Sequence, residues 1–304
     1  MAGRLLDLRP SELARIKGRE LLQSIRTAEG RTIVCEVLCP VMPLCYDVTN
    51  AELVAGFGAD LLLLNLYDVF NPTVFGVTPL EGESVIRALK RLTGRNIGIN
   101  LEAIDVTAFQ QEVMDAVPPG RVASRETARL AWQQGADFIT LTGNPDTGVT
   151  NEQIVRSVRE IRNELGGDMV LIAGKMHGAG IQSEMSERIL SGQEVIRFIE
   201  AGADVIMVPA PGTVPGITIE FVHSVCLQAH KLGAMVMTSI GTSQEGADEY
   251  TIKNIALHCK MAGADMHHLG DSGYTGVAVP ENVMTYSITI RGRRHTYRRM
   301  AMRI

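Results

Sequence analysis

Lys175 and His177, in the run AGKMHGAG, are the residues whose type and spacing most directly suggest chemistry. Two positions apart on a strand, they share a face. The glycines around them, Gly174, Gly178 and Gly180, leave space for a ligand against the backbone. A lysine held among apolar side chains loses proton affinity and can act as a base or a Schiff-base nucleophile. The same lysine could bind an anion or pair with Glu36 or Glu102 instead. Asn100, Asn144 and Lys175 are placed to stabilise an oxyanion, with Lys175 or His177 moving the proton and Glu102 orienting the base. The expected catalytic set is therefore Lys175, His177, Glu102, Asn100 and Asn144.

Two further groups belong to the same end of the chain's strands. Glu36, Glu102 and Asp271 could hold a divalent cation, Mg²⁺ or Mn²⁺ by the preference of those ions for oxygen. The turns IGTSQEG and LGDSGYTG offer Gly241, Thr242, Ser243, Ser272 and Gly273 for phosphate, through backbone N–H groups of Gly-rich turns. Cys35, Cys39 and Cys45 are spaced unlike a cluster-binding cysteine motif, and buried free thiols are expected. No HExxH motif, GxSxG elbow or DxDxT-type aspartyl nucleophile is present, which argues against hydrolase and phosphatase chemistry.

These residues need a scaffold, and a recurring join supplies it. GFGAD at 56–60, QGAD at 134–137, EAGAD at 200–204, LGAM at 232–235 and AGAD at 262–265 each end a helix-like stretch and start an apolar run. Glycine suits a helix C-terminus because it adopts left-handed conformations without a Cβ clash. Eight runs follow such joins or their looser copies, beginning at Thr32, Leu61, Asn96, Phe138, Met169, Val205, Met235 and Met266. Amphipathic helices lie between them. Eight tandem β-then-α units fit a closed (β/α)8 barrel occupying residues 1–304 as one domain. A doubly wound sheet would need a Gly-rich fingerprint after its first strand, and CPVMPLCYDVTN has no glycine, so no nucleotide cofactor is indicated. An extra N-terminal helix at 10–27 is expected to cap the barrel's bottom, and residues 105–122 read as a long loop with a short helix.

Strand alternation sorts the polar residues. Glu36, Asn65, Asn100, Glu102, Thr140, Thr142, Asn144, Ser239 and Gly241 fall on inward positions, with Ala173, Lys175 and His177 on strand five. Strand eight offers His267 with Asp271, or His268 with Gly270. Most sit near C-terminal strand ends, where barrel enzymes place their chemistry.

Composition limits the partners. Net charge is −5, yet the last 14 residues hold six arginines and no acid; the other 290 residues balance to −11. An acidic body argues against nucleic acid, and the basic tail reads as a solvated or subunit-contacting face, which favours a homo-oligomer. No apolar run reaches membrane-spanning length, and a cytoplasmic protein is expected.

With its Gly-rich turns after strands seven and eight, the chain resembles the phosphate-binding group of (β/α)8 barrels. It is faintly similar to phosphoenolpyruvate-mutase-like lyases and mutases, and to a bacterial family of uncharacterised TIM barrels carrying such labels. The similarity covers the whole architecture, but the mutase-type acidic cluster has no residue-by-residue counterpart here. It implies a lyase or isomerase of aldolase or enolate type acting on a small anionic metabolite, phosphorylated or carboxylated. The alternative is a non-catalytic barrel that binds a metabolite or assists assembly.

Overall fold

Four of the joins end in Gly-Ala-Asp, and the aspartate explains the repeat. Gly58, Gly135, Gly202 and Gly263 hold φ between 97° and 115°, a conformation that favours glycine. The aspartate two residues on then clasps one residue of the preceding strand. Asp60, Asp137, Asp204 and Asp265 donate their N–H groups to the carbonyls of Ile33, Ile97, Leu171 and Val236 at 2.8–2.9 Å. Each Oδ2 accepts the N–H of that same residue at 2.8–2.9 Å.

The structure, a computed structural model, describes residues 3–104 and 117–302. Its strands are β1 (Thr32–Leu38), β2 (Leu61–Asn65), β3 (Asn96–Glu102), β4 (Phe138–Thr142), β5 (Val170–Gly174), β6 (Val205–Pro209), β7 (Met235–Ile240) and β8 (Met266–Leu269). All neighbours are parallel, and Thr32 of β1 pairs with Met266 of β8, closing the barrel. The expected (β/α)8 architecture is observed. Most of the loop expected over 105–122 lies outside the described residues; its far end forms a short turn at Pro119–Arg121.

Helices α1 (Pro10–Leu13) and α2 (Gly18–Arg26) stand where one helix was expected. The chain breaks between them at Gly18, where φ is 47° and a Cβ would lie 2.5 Å from the Gly167 carbonyl oxygen. Asn96 of β3 donates to the freed carbonyls of Leu13 and Ile16 at 2.9 and 3.2 Å. The capping role holds: Leu5, Leu13, Leu21 and Ile25 join the apolar cluster that fills the barrel's lower interior. Gly98 makes space there for Phe138, whose ring a Cβ would meet at 2.2 Å.

The outer layer comprises α3 (Asn50–Gly56), α4 (Val85–Thr93), α5 (Arg125–Gln134), α6 (Asn151–Leu165), α7 (Gly192–Ala201), α8 (Ile219–Lys231), α9 (Glu249–Ala262) and α10 (Pro280–Ala301). The outward strand residues bury against it, with Cys35 and Cys39 as free thiols in that layer and Cys45 exposed. Burial pushes the Cys35 and Cys39 thiols up, away from the thiolate a metal cluster needs.

The basic tail is not simply a solvated face. Arg291 and Arg299 of α10 are buried and both pair with Asp60, at 2.5 and 2.7 Å. Arg298 reaches Asp7 at 2.8 Å. The reason is the clasp: a buried aspartate at a strand start requires cations. Lys90 serves Asp137 at 2.7 Å, Arg162 serves Asp204 at 2.5 Å, and His230 meets Asp265 at 2.7 Å. Among the described residues no helix is long and apolar enough to cross a membrane.

Removing one partner from a buried ion pair leaves an uncompensated charge and costs about 3–5 kcal/mol. Asp60→Asn keeps an acceptor for Ile33 but strands Arg291 and Arg299, so urea unfolding is expected to show a loss of that size. Asp265→Asn, beside a partly exposed histidine, is expected to cost about 1 kcal/mol or less.

Candidate active site

The upper ends of the strands enclose a cavity of about 200 Å³. Its polar wall comes from two arcs of the barrel. The β7–β8–β1 arc supplies Glu245, Asp271 and Glu36; the β2–β3–β4 arc supplies Asn65, Asn100, Thr142 and Asn144. Met176 and His177, following β5, join the lining. A wider hollow of about 590 Å³ lies at the barrel's other end, beside Lys17, Trp132 and Asp168.

The first arc is acidic and crowded. Asp271 accepts the Gly273 N–H at 2.6 Å, and Glu245 accepts the Ser272 N–H at 3.1 Å. Burial pushes the Asp271 carboxyl up to about 7, with the charges of Glu36 and Glu245 adding to it. Burial also raises Glu245, again with Glu36 contributing. Behind them, His268 of β8 faces inward. Its Nδ1 lies 2.7 Å from the Ser239 hydroxyl, and its Nε2 lies 3.2 Å from Glu36 without hydrogen-bond alignment. An ionised carboxylate only accepts, so the proton belongs on Nε2 and the Ser239 hydroxyl donates to Nδ1. This Ser–His–Glu series runs opposite to an acyl-transfer triad: Glu36 meets the cavity and Ser239 is wholly buried.

The second arc is a chain of oriented amides. Glu102 is ion-paired with Arg121 and accepts the Asn144 Nδ2 at 3.0 Å. That fixes Asn144 Oδ1 as acceptor for Asn65 Nδ2 at 2.8 Å. Asn65 Oδ1 in turn accepts from Asn144, from the Leu66 N–H at 2.8 Å and from Asn100 Nδ2 at 3.2 Å. Asn100 Oδ1 is left at the end of the series without a partner, as is the Thr142 hydroxyl.

His177 lines the cavity as expected. Its Nδ1 accepts the Ala179 N–H at 3.1 Å, leaving Nε2 to carry the proton. Burial lowers its pKa, against the pull of Glu36, so the ring is a neutral N–H donor. Lys175 is placed otherwise. Gly174 takes φ 149°, where a Cβ would meet the Met207 carbonyl oxygen at 2.0 Å, and this turn breaks the alternation. Ala173 packs with the helices and Met176 takes the inward position. Lys175 pairs with Glu184, not with Glu36 or Glu102, and Glu184 also accepts the first N–H of α6, on Asn151, at 3.0 Å. Burial lowers the lysine's pKa while Glu184 opposes it.

The remaining expected residues divide. Gly241, Ser243 and Gly273 line the cavity. Thr242 turns away, donating to the Thr213 carbonyl at 2.8 Å and to Gln244 at 2.6 Å. Of the cation set, Glu36 and Asp271 meet the cavity, but Glu102 is held by Arg121 and Asn144. Among the described residues no group of three or more His, Cys, Asp or Glu side chains is arranged for a metal ion, and Glu102 does not join Glu36 and Asp271 at the cavity. Strand alternation left His267 and His268 open. The structure turns His267 outward to Tyr286, at 3.0 Å, while Gly270 and Asp271 both reach the cavity. Glu245, Arg121 and Glu184 were missed because they lie on loops, where no alternation reports direction.

Barrel and cavity together define a (β/α)8 protein with a polar pocket at the C-terminal strand ends. The chain belongs to the family of the domain of unknown function DUF7916, whose model matches residues 6–304. No curated protein matches it. Similar solved structures include a protein of Burkholderia cenocepacia J2315 with a provisional lyase/mutase description, 18% identical over 82% of this chain and 80% of that one, with a TM-score of 0.45. Another is thiamine phosphate pyrophosphorylase from Pyrococcus furiosus, 11% identical over 89% of this chain and 98% of that one, with a TM-score of 0.46. The strand register, and not these neighbours, establishes the fold.

Asp271 makes stability depend on pH with a definite sign. Unfolded, its carboxyl titrates near 3.8; folded, near 7. Between those values the folded chain binds more protons, so this contribution to stability is lost as pH rises across the window. Asp271→Asn is expected to flatten that slope in urea unfolding measured inside the window and above it.

Proposed function

We propose that this barrel is an acid–base enzyme, a lyase or isomerase working through an enolate of a small hydroxy-carbonyl compound. The observation that carries the reading is the carboxyl pair at the cavity: Asp271, held up to about 7, beside Glu36. Two carboxyls at one cavity, one of them raised by burial, can serve as acid and base. Glu36, with the His268 N–H behind it, takes the proton from the carbon next to the carbonyl, or from a hydroxyl in the retro-aldol direction. The electron pair of the broken C–H or C–C bond moves onto the carbonyl oxygen. The neutral His177 N–H supports that oxygen, and protonated Asp271 returns a proton to oxygen or carbon. Lys175, outside the lining and paired with Glu184, takes no part in this route.

The test is solvent exchange. Dihydroxyacetone, erythrulose and aminoacetone incubated with the protein in D2O are expected to gain deuterium beside the carbonyl, followed by proton NMR. Glu36→Gln is expected to slow exchange about 100-fold or more. Absence of exchange above the Glu36→Gln background with every probe would sink the acid–base reading and leave a barrel that only binds its metabolite.

A further inference from the structure

The geometry points to a small organic cation, a primary ammonium compound also bearing oxygen, as the cavity's ligand in preference to a phosphorylated one. This narrows the substrate of the site read above and rests on that site being the functional one.

Three observations converge. Every acidic or basic side chain of Asp, Glu, Lys or Arg type in the lining is a carboxylate: Glu36, Glu245 and Asp271. Two cations that flank lining residues are already paired, Lys175 with Glu184 and Arg121 with Glu102. An incoming anion therefore meets like charge without a counter-ion, a costly juxtaposition at low dielectric. The N–H groups of Ser272 and Gly273, which suit phosphate by type, are taken by Glu245 and Asp271.

Independently, two unsatisfied atoms of the wall are carbonyl-type oxygens, and the third group, the Thr142 hydroxyl, can accept as well as donate. Asn100 and Glu245 are each 4% exposed, yet Asn100 Oδ1 and Glu245 Oε2 have no partner. The polarity at Asn100 is enforced, because the amide series begins at a carboxylate that only accepts and each amide sets the next. Buried acceptors without donors are costly. A ligand that satisfies them must bring N–H or O–H groups. An ammonium brings three donors and a positive charge together, and it needs acceptors at hydrogen-bond distance, not the closed ligand shell of a metal ion. Among the described residues that shell is not formed.

Proton linkage separates the alternatives. A bound cation favours the ionised carboxyl, so Asp271 gives up its proton on binding; a bound anion has the opposite effect.

Calorimetric titration near pH 7, in two buffers of different ionisation enthalpy, reads both affinity and protons. Ethanolamine is the probe, compared with ethylene glycol, inorganic phosphate and Mg²⁺. Ethanolamine is expected to bind with net proton release and ethylene glycol about tenfold or more weakly. Glu245→Gln is expected to weaken ethanolamine by a similar factor, and Glu36→Gln provides a second, independent check on folded protein. Phosphate binding with proton uptake, Mg²⁺ displacing ethanolamine, or no ethanolamine binding by the folded chain would each overturn the inference. Because the readout is binding, ethanolamine binding without deuterium exchange removes the acid–base reading alone. Exchange accompanied by phosphate binding removes this inference alone.

Discussion

A carboxylate at the start of every second strand is the interaction on which the barrel rests. Asp60, Asp137, Asp204 and Asp265 each exchange two hydrogen bonds with one residue of the strand before. Hydrogen bonds to a charged group contribute about 1.5–3 kcal/mol, more than ordinary ladder bonds. A carboxylate inside the fold calls for a counter-charge, and this explains much that surrounds it. It brings Lys90 and Arg162 down from their helices and draws α10 back across the floor so that Arg291 and Arg299 reach Asp60. The cationic tail is thus a structural counterweight to one buried acid.

At the barrel's top the same physics is used in reverse. Glu36, Glu245 and Asp271 are crowded without cations, and burial raises two of them. The floor spends its arginines to keep an aspartate charged; the mouth withholds them, so that a carboxyl stays protonated near neutral pH. Glu102 marks the boundary between these regimes. Paired with Arg121, it acts through Asn144 and Asn65 to fix which atom Asn100 presents.

The fold was largely legible in the sequence because its signal is periodic. Eight apolar runs and their Gly-Ala joins give the barrel, and all eight strand starts fall within one residue of expectation. The glycine of the repeat was understood, whereas the aspartate was not, since its partner lies 27 to 40 residues away and no local rule reports it. In the site, alternation located Glu36, Asn65, Asn100 and Thr142 correctly. It failed at Lys175, where the unusual backbone of Gly174 shifts the alternation, and it had nothing to say about Glu245 on its turn. The attraction of Lys175 as a nucleophile came from residue type; its actual partner, Glu184, follows a loop that only tertiary structure brings back.

The clasps also divide the barrel unevenly. They tie β1 to β2, β3 to β4, β5 to β6 and β7 to β8, while the intervening joins carry Arg31, Arg95, Met169 and Ala234 at the equivalent position. The wall is therefore four aspartate-clasped strand pairs joined at seams without the clasp. Both polar arcs of the mouth cross such seams: His268 to Glu36 spans β8 and β1, and Asn65 to Asn100 spans β2 and β3. A molecule that reached both arcs would therefore bridge neighbouring strand pairs at the rim, across two of the joins that carry no aspartate.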